Sequence, residues 1–216
     1  MLVACWSVKG GVGATVVAAG IAAAQAALER REVLLADLGG DQPLVHGLAP
    51  SSSAGLRGWT RAGPGVPPDG LALLEEPIDE HRRLLPSGLG RWDPSRAEAL
   101  AQALDEDDRV VVVDVGVGVD APVGAAIVEA AARSVLVVRA CPLSMRAVGS
   151  LPADPDVVVV VRDRNRALSW REIADRCGAP VAAELDVDPA VGAAIDAGLL
   201  VRPFPHRFVR ALRGVA

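Results

Sequence analysis

The sequence predicts a three-layer α/β fold, a largely parallel sheet flanked by helices on both faces. Three observations lead there. Short runs such as Leu2 to Trp6, Val110 to Val113 and Val157 to Val161 are apolar without interruption, as strands buried on both faces must be. These runs alternate with longer segments of helical character, the order that builds a parallel sheet. The 216 residues are 51% hydrophobic but only 3% aromatic, enough for one sizeable core made of Ala, Val and Leu. There is no internal repeat and no linker long enough to divide the chain, so residues 1–216 are expected to form a single domain.

The elements follow in order. Leu2 to Ser7 reads as a buried strand, and Thr15 to Arg30 as a long helix that ends in Glu29-Arg30-Arg31. Between them lies Ser7-Val8-Lys9-Gly10-Gly11-Val12-Gly13-Ala14-Thr15. Strand, glycine-rich turn, helix is the setting of a phosphate-binding loop. Glycines let successive N–H groups turn inward on an anion, and the helix N-terminus adds its dipole. The common pattern G-x-x-x-x-G-K-[ST] is incomplete, because Val8 stands where its first glycine would be and Ala14 where its lysine would be. Lys9 is the only lysine in the chain.

Glu32 to Ala36 is a second buried strand, with Asp37 at its carboxyl end, the edge where ligands of open α/β sheets gather. Residues 43–70 are rich in Pro, Gly and Ser, with a short helix expected near Ala54 to Ala62 and a loop from Pro64 to Gly70. Leu71 to Leu74 and Arg83 to Pro86 read as two short strands. Asp93-Pro94-Ser95 supplies a cap and a first-turn proline for a helix running to about Asp105. Arg109 to Val113 is a strand of four valines that ends in Asp114, followed by Gly116 and Gly118. An acid so placed can reach the shell of a Mg2+ ion. Pro122 to Ala132 is a helix, Ser134 to Val138 and Val157 to Val161 are strands, and Val181 to Leu185 with Pro189 to Gly198 form a last strand and helix. Phe204, Phe208 and Leu212 recur at a spacing of four among arginines, which predicts a short amphipathic helix within 203–216.

Lys9-Gly10-Gly11-Val12-Gly13-Ala14-Thr15 resembles the deviant Walker A motif of the ParA/MinD family of P-loop ATPases, K-G-G-x-G-K-[ST], in which Lys9 matches the extra lysine at the start of the loop. Asp37 matches the first acid of switch I and Asp114 the acid of the Walker B strand, with Gly116 and Gly118 in switch II. The segments Leu84 to Gly88 and Ala140 to Ser144 also resemble the family's, and the likeness runs from about Leu2 to Leu200. The resemblance implies a P-loop NTPase-like fold and a homodimer with ATP or ADP and Mg2+ held between protomers. It assigns Lys9 and Asp37 to catalysis, Lys9, Gly10, Gly11, Val12, Gly13, Ala14, Thr15, Asp114 and Gly116 to the nucleotide, and Thr15 and Asp114 to the metal. It implies a protein cargo or activator, with roles in chromosome partition, division-site choice or pilus positioning, and in the MinD-type members a C-terminal helix that lies on membranes.

Three positions depart from the family pattern: Ala14 for the loop lysine, Gly39 for the second switch I acid, and Arg162 for the asparagine that reads adenine. Asn165, on a shifted loop, is not counted as a substitute for the last. Phosphoryl transfer is nearly all positioning and charge stabilisation, so two readings stand. One is a dimeric spatial organiser that binds ATP and hydrolyses it weakly or not at all. The other is a pseudo-ATPase scaffold that works by constitutive protein contact. Atypical loops also occur in the pilus-localising TadZ/CpaE kind. An iron–sulfur carrier is disfavoured, since no cysteine follows Asp114 within the switch.

Composition sets the remaining expectations. A net charge of −5, with no basic block, does not indicate direct nucleic-acid binding. Cys5, Cys141 and Cys177 are odd in number and far apart, and read as small buried hydrophobes in a reducing cytoplasm. His46, His81 and His206 are scattered and suggest no metal site. No signal-like start and no apolar run of spanning length points to a cytoplasmic protein, with pole or membrane association left to the C-terminal segment.

Overall fold

Strand β1 (Leu2–Trp6) is buried at every residue and lies in the middle of the sheet, where an uninterrupted apolar run belongs. The computed structural model describes residues 1–49, 54–63, 65–66, 68–163, 168–197 and 204–216. After β1 come α1 (Ala14–Glu29), β2 (Val33–Asp37), α2 (Gln42–Val45) and α3 (Gly55–Arg61). A 3₁₀ segment (Pro68–Leu74) leads to β3 (Glu76–Pro77) and β4 (Arg82–Leu85), and a second (Pro94–Arg96) opens α4 (Ala97–Asp105). Then follow β5 (Val110–Gly116), α5 (Pro122–Ala130), β6 (Arg133–Arg139), α6 (Pro142–Ala147), β7 (Val157–Arg162), α7 (Trp170–Cys177), β8 (Val181–Asp186), α8 (Pro189–Asp196) and α9 (His206–Ala211).

The strands join in one sheet of order β3-β4-β2-β5-β1-β6-β7-β8, parallel throughout except for β3 against β4. Alternate residues feed the two faces. Leu2, Ala4, Trp6, Val111 and Val113 pack with Leu100 and Leu104 of α4 and Ile127 of α5. Val3, Cys5, Val110 and Val112 pack with Val17 and Ile21 of α1. The three-layer α/β expectation holds. Helix α1 is buried over nearly all its circumference from Val17 to Ala26, because a second element covers the side away from the sheet.

That element is the C-terminal segment. Phe204, Val209, Leu212 and Val215 are buried in the same cluster as α1, and the Phe204 and Phe208 rings stack with centroids 5.4 Å apart. The approach needs a small residue on α1: a Cβ at Gly20 would lie 2.4 Å from Phe208 Cε1 and 2.6 Å from Leu212 Cδ1. Arg213 Nε donates to Glu29 Oε1 at 3.0 Å, and Arg207 pairs with Asp188. The amphipathic helix expected within 203–216 is present over His206–Ala211, with its apolar face packed on its own domain. Among the described residues no helix is long and apolar enough to cross one.

Most element ends fall within about two residues of expectation, the usual scatter of fraying ends. One expected strand is wrong. Leu71 to Leu74 belongs to the 3₁₀ segment, with Leu71 buried and Leu73 89% exposed. A strand would set those two on one face, whereas a repeat of three separates them. The same segment takes in Pro68, Asp69 and Gly70, expected as loop. Helix α7 lies outside the expected elements, although its capping box is written in the sequence: Ser169 Oγ accepts from Glu172 N, and Ser169 N donates to Glu172 Oε2 at 2.8 Å. Cys5 and Cys177 are buried as expected, and Cys141 is only half-buried.

Truncating Leu212 to alanine is expected to destabilise the fold by roughly 2–5 kcal/mol, the range for a large apolar side chain lost from a core. Urea denaturation measures it; a midpoint unchanged from wild type would show the segment to be undocked in solution.

Candidate functional site

The strand order places three loops side by side. β5 runs between β1 and β2, so the loops after β1, β2 and β5 meet at one edge of the sheet. The loop after β1 is the glycine stretch. Gly11 and Gly13 have φ of 75° and 97°, in the left-handed region that glycine enters without strain. Gly10 and Gly11 are exposed, and a Cβ on either would meet nothing within 4 Å. Val12 and Ala14 are buried, anchoring the turn to the core while its outer backbone stays open. Ser7 ties the loop to β5, its N–H donating to Gly116 O at 2.7 Å.

Asp37 and Asp114 close β2 and near the end of β5, and they are partners in the sheet register. Both are buried, at 0% and 1% exposure. Asp37 Oδ1 accepts from Gly40 N at 2.7 Å and Oδ2 from Gln42 N at 3.1 Å. Gln42 is the hub that sequence reading missed. Its Nε2 donates to Asp114 Oδ2 and to Thr15 O, each at 2.9 Å, so one side chain links all three loops. The only signal for it in the chain was a polar residue five positions past a strand-ending acid.

Burial pushes the Asp37 carboxyl up to about 6, against the pull of the Gly40 and Gln42 N–H groups. Burial, with the charge of Asp37 behind it, pushes Asp114 up to about 7, against Gln42, Thr15 and the Gly116 N–H. Asp114 Oδ1 is buried with no hydrogen-bond partner. Two crowded carboxylates, a neighbouring threonine and an orphaned oxygen make a hard-oxygen donor set that fits Mg2+. The residues present therefore fit the metal that the resemblance implies.

A cavity of about 780 Å³ opens over this edge, lined by Gly10 to Thr15, Gly39, Asp41 and Gly116, with Arg57 and Trp92 at one side. An open glycine cradle beside it fits a polyphosphate. Of the expected site residues, Gly10, Gly11, Val12, Gly13, Ala14, Thr15 and Gly116 line this cavity, and Asp37 and Asp114 lie beneath its edge. Lys9 is not brought in: its Nζ turns back onto the loop and donates to Gly10 O at 3.2 Å. Arg162, at the expected base-reading position, is held by Glu184 at 3.1 Å and by Leu168 O at 2.7 Å. Asn165 lies outside the described residues.

No protein-family model matches the sequence, and no curated protein does. Solved structures do match. The ParA family ATPase from Chlorobium tepidum TLS is 20% identical, with a TM-score of 0.79 over 98% of this chain and 96% of its own. The septum site-determining protein MinD complexed with Mg-ADP from Pyrococcus horikoshii OT3 is 17% identical, with a TM-score of 0.73 over 100% of this chain and 94% of its own. The MinD cell division protein of Aquifex aeolicus is 21% identical, with a TM-score of 0.74 over 99% and 94%. The chain has a ParA/MinD-like fold.

The carboxylate pair has a signature in pH. A carboxyl whose folded pKa is raised stabilises the fold below its ordinary 3.8, and that contribution is lost as pH rises through the folded value, here about 6 and about 7. His46, buried and pushed down to about 4 by burial and then by the Arg82 charge, acts the opposite way and only below its ordinary 6.5. Above 6.5 the two carboxylates, and His81 held up by its hydrogen bond to Glu32, all lose stabilisation as pH rises, so stability is expected to fall towards about pH 8. Asp114→Asn should remove the Asp114 part of that fall, about 1 kcal/mol between pH 6.5 and 8. Mg2+ should raise the melting temperature of wild type but not of this variant. Scanning calorimetry across pH checks both; equal slopes for the two proteins would contradict the assignment.

Proposed function

We propose that this chain, folded as a single domain over 1–216, is a ParA/MinD-like nucleotide-binding protein that acts as a dimeric spatial organiser and hydrolyses ATP weakly or not at all. The observation that carries this reading is the buried Asp37–Asp114 pair in register beside an open glycine cradle. Two buried carboxylates held only by neutral donors are costly in a core unless a cation uses them. A scaffold with no ligand would gain by losing them. The likeness to a ParA family ATPase and to a MinD bound to Mg-ADP supports the same reading.

In this reading the N–H groups of Gly10 to Thr15 hold the phosphates, with Val12 and Ala14 setting the loop's depth in the core. Thr15 and Asp114 hold Mg2+, and the bound ion supplies charge neutralisation at the phosphate oxygens. Asp37 fixes the loop after β2 through Gly40 and Gln42, so a change at the phosphates passes directly to that loop. Lys9, which lies outside its own cavity, serves the phosphates of a second protomer. Leu44 and Val117, 58% and 54% exposed on the loops after β2 and β5, are apolar surface that such a protomer would cover. Ala14 and Gly39 remove a cation and a water-positioning acid, which accounts for weak turnover. The organised cargo belongs to chromosome partition, division-site choice or pilus positioning, and an activator protein would complete the site. Peripheral membrane contact would require α9 to leave α1, and it is not part of the proposal.

Titrating fluorescent ATP and ADP with Mg2+, while following mass by light scattering, tests it. Wild type is expected to bind in the micromolar range and to dimerise with ATP, and Lys9→Ala to lose the dimer. Restoring both missing groups, Ala14→Lys with Gly39→Asp, should raise turnover more than about a hundredfold, since the lysine alone at ~3 kcal/mol gives that much. A folded wild type that binds no nucleotide at millimolar concentration would leave the constitutive scaffold as the answer.

A further inference from the structure

The cavity over the glycine loop is short of positive charge. Ala14 brings none, Lys9 Nζ is turned onto Gly10 O, Asp41 lines the wall, and two carboxylates lie beneath the edge. Phosphate oxygens placed there would meet anions with no side-chain cation from the loop itself. Among the described residues that line the cavity there is one cation, Arg57 of α3.

Arg57 is unusual in its surroundings. No carboxylate pairs with it among the described residues. Its Nη1 donates to Gly90 O at 3.1 Å, and its guanidinium carbon sits 5.4 Å from the centre of the Trp92 ring. Its Nε is buried with no partner. A guanidinium stays charged at any pH a protein experiences, and a buried donor left unmade costs free energy. A guanidinium that lines a cavity and is paired with no carboxylate among the described residues is suited to an anionic ligand there.

The backbone holds it in place. Leu56 N and Arg57 N donate to Pro86 O and Ser87 O, both at 2.9 Å, so the start of α3 is pinned to the loop after β4. Ser87 Oγ in turn donates to Leu38 O at 3.2 Å, next to Asp37. The two segments touch so closely that a Cβ on Gly88 would lie 2.0 Å from Ala54 O. The Nη1 bond to Gly90 O and the cation–π contact with Trp92 restrain the guanidinium before any ligand arrives, which reduces the ordering cost of binding.

We propose that Arg57, held by Gly90 O and over the Trp92 ring, is the in-chain cation that binds the polyphosphate of a nucleoside di- or triphosphate in place of the loop lysine. This rests on the nucleotide-binding reading above and adds to it a residue that no motif marks. It also divides the labour of the two cations: Arg57 serves its own protomer's ligand and Lys9 the partner's.

The test is displacement of a fluorescent ATP analogue by ATP, ADP and AMP with Mg2+, on wild type, Arg57→Gln and Arg57→Lys. Loss of a charge-assisted contact predicts that Arg57→Gln weakens ATP roughly 10- to 100-fold, with smaller losses for ADP and least for AMP. Arg57→Lys should recover part of the loss, and its retained charge keeps the test usable if the glutamine variant folds poorly. A merely structural role would lower all three ligands equally. Equal weakening, or no weakening, would assign Arg57 to clamping the Gly90 loop and overturn this inference while leaving nucleotide binding intact. A folded wild type that binds none of the three would overturn both.

Discussion

Two carboxylates share a dry edge of a parallel sheet, and the rest of the site is arranged around that constraint. Asp37 and Asp114 sit opposite one another in register, each desolvated, and each raised by it. Charges so placed repel and are poorly hydrated. The protein meets this with neutral donors. Backbone N–H groups of Gly40 and Gln42 hold Asp37, and the Gln42 amide holds one oxygen of Asp114. What is left over, Asp114 Oδ1, is the atom a cation would take. Replacing both acids by apolar residues of similar size would be easier for the core, so packing alone does not account for them.

The scaffold under this edge is stiff where the site needs it. Helix α1 starts from the glycine loop and is gripped from both sides, by the sheet and by the C-terminal segment. Its run of alanines gives few large contacts per residue, but small side chains let Phe208 and Leu212 approach closely at Gly20. The helix that follows the loop is thereby packed against residues 204–215. The same close packing removes the apolar face of α9 from any surface, an outcome that the amphipathic pattern alone could not distinguish from a membrane-facing helix.

Charge at the cavity comes from a place remote in sequence from the loop. The glycine stretch carries one lysine, turned outward, while the guanidinium at the wall belongs to α3 and is set by the loop after β4 and by Trp92. Gln42 is similar. Neither residue has a motif, because its meaning lies in which carbonyl or carboxylate stands near it after folding.

The sequence by itself determined the fold class, most of the strands and helices but not α2, β3, α6 or α7, the glycine loop and the two acids. Those follow from local quantities: apolar runs too continuous for a half-exposed strand, glycines before a helix, acids at strand ends. It misassigned Leu71 to Leu74 because two leucines around one alanine fit a strand as well as a 3₁₀ turn until burial separates them. Strand order was decided only by the tertiary structure. Placing β5 between β1 and β2 brings residues 15, 37, 42 and 114 within hydrogen-bonding range of one another, and no spacing along the chain encodes that adjacency. The docking of α9 and the seat of Arg57 were decided in the same way. Each depends on contacts between distant segments, whose free energy exists only once the sheet has formed.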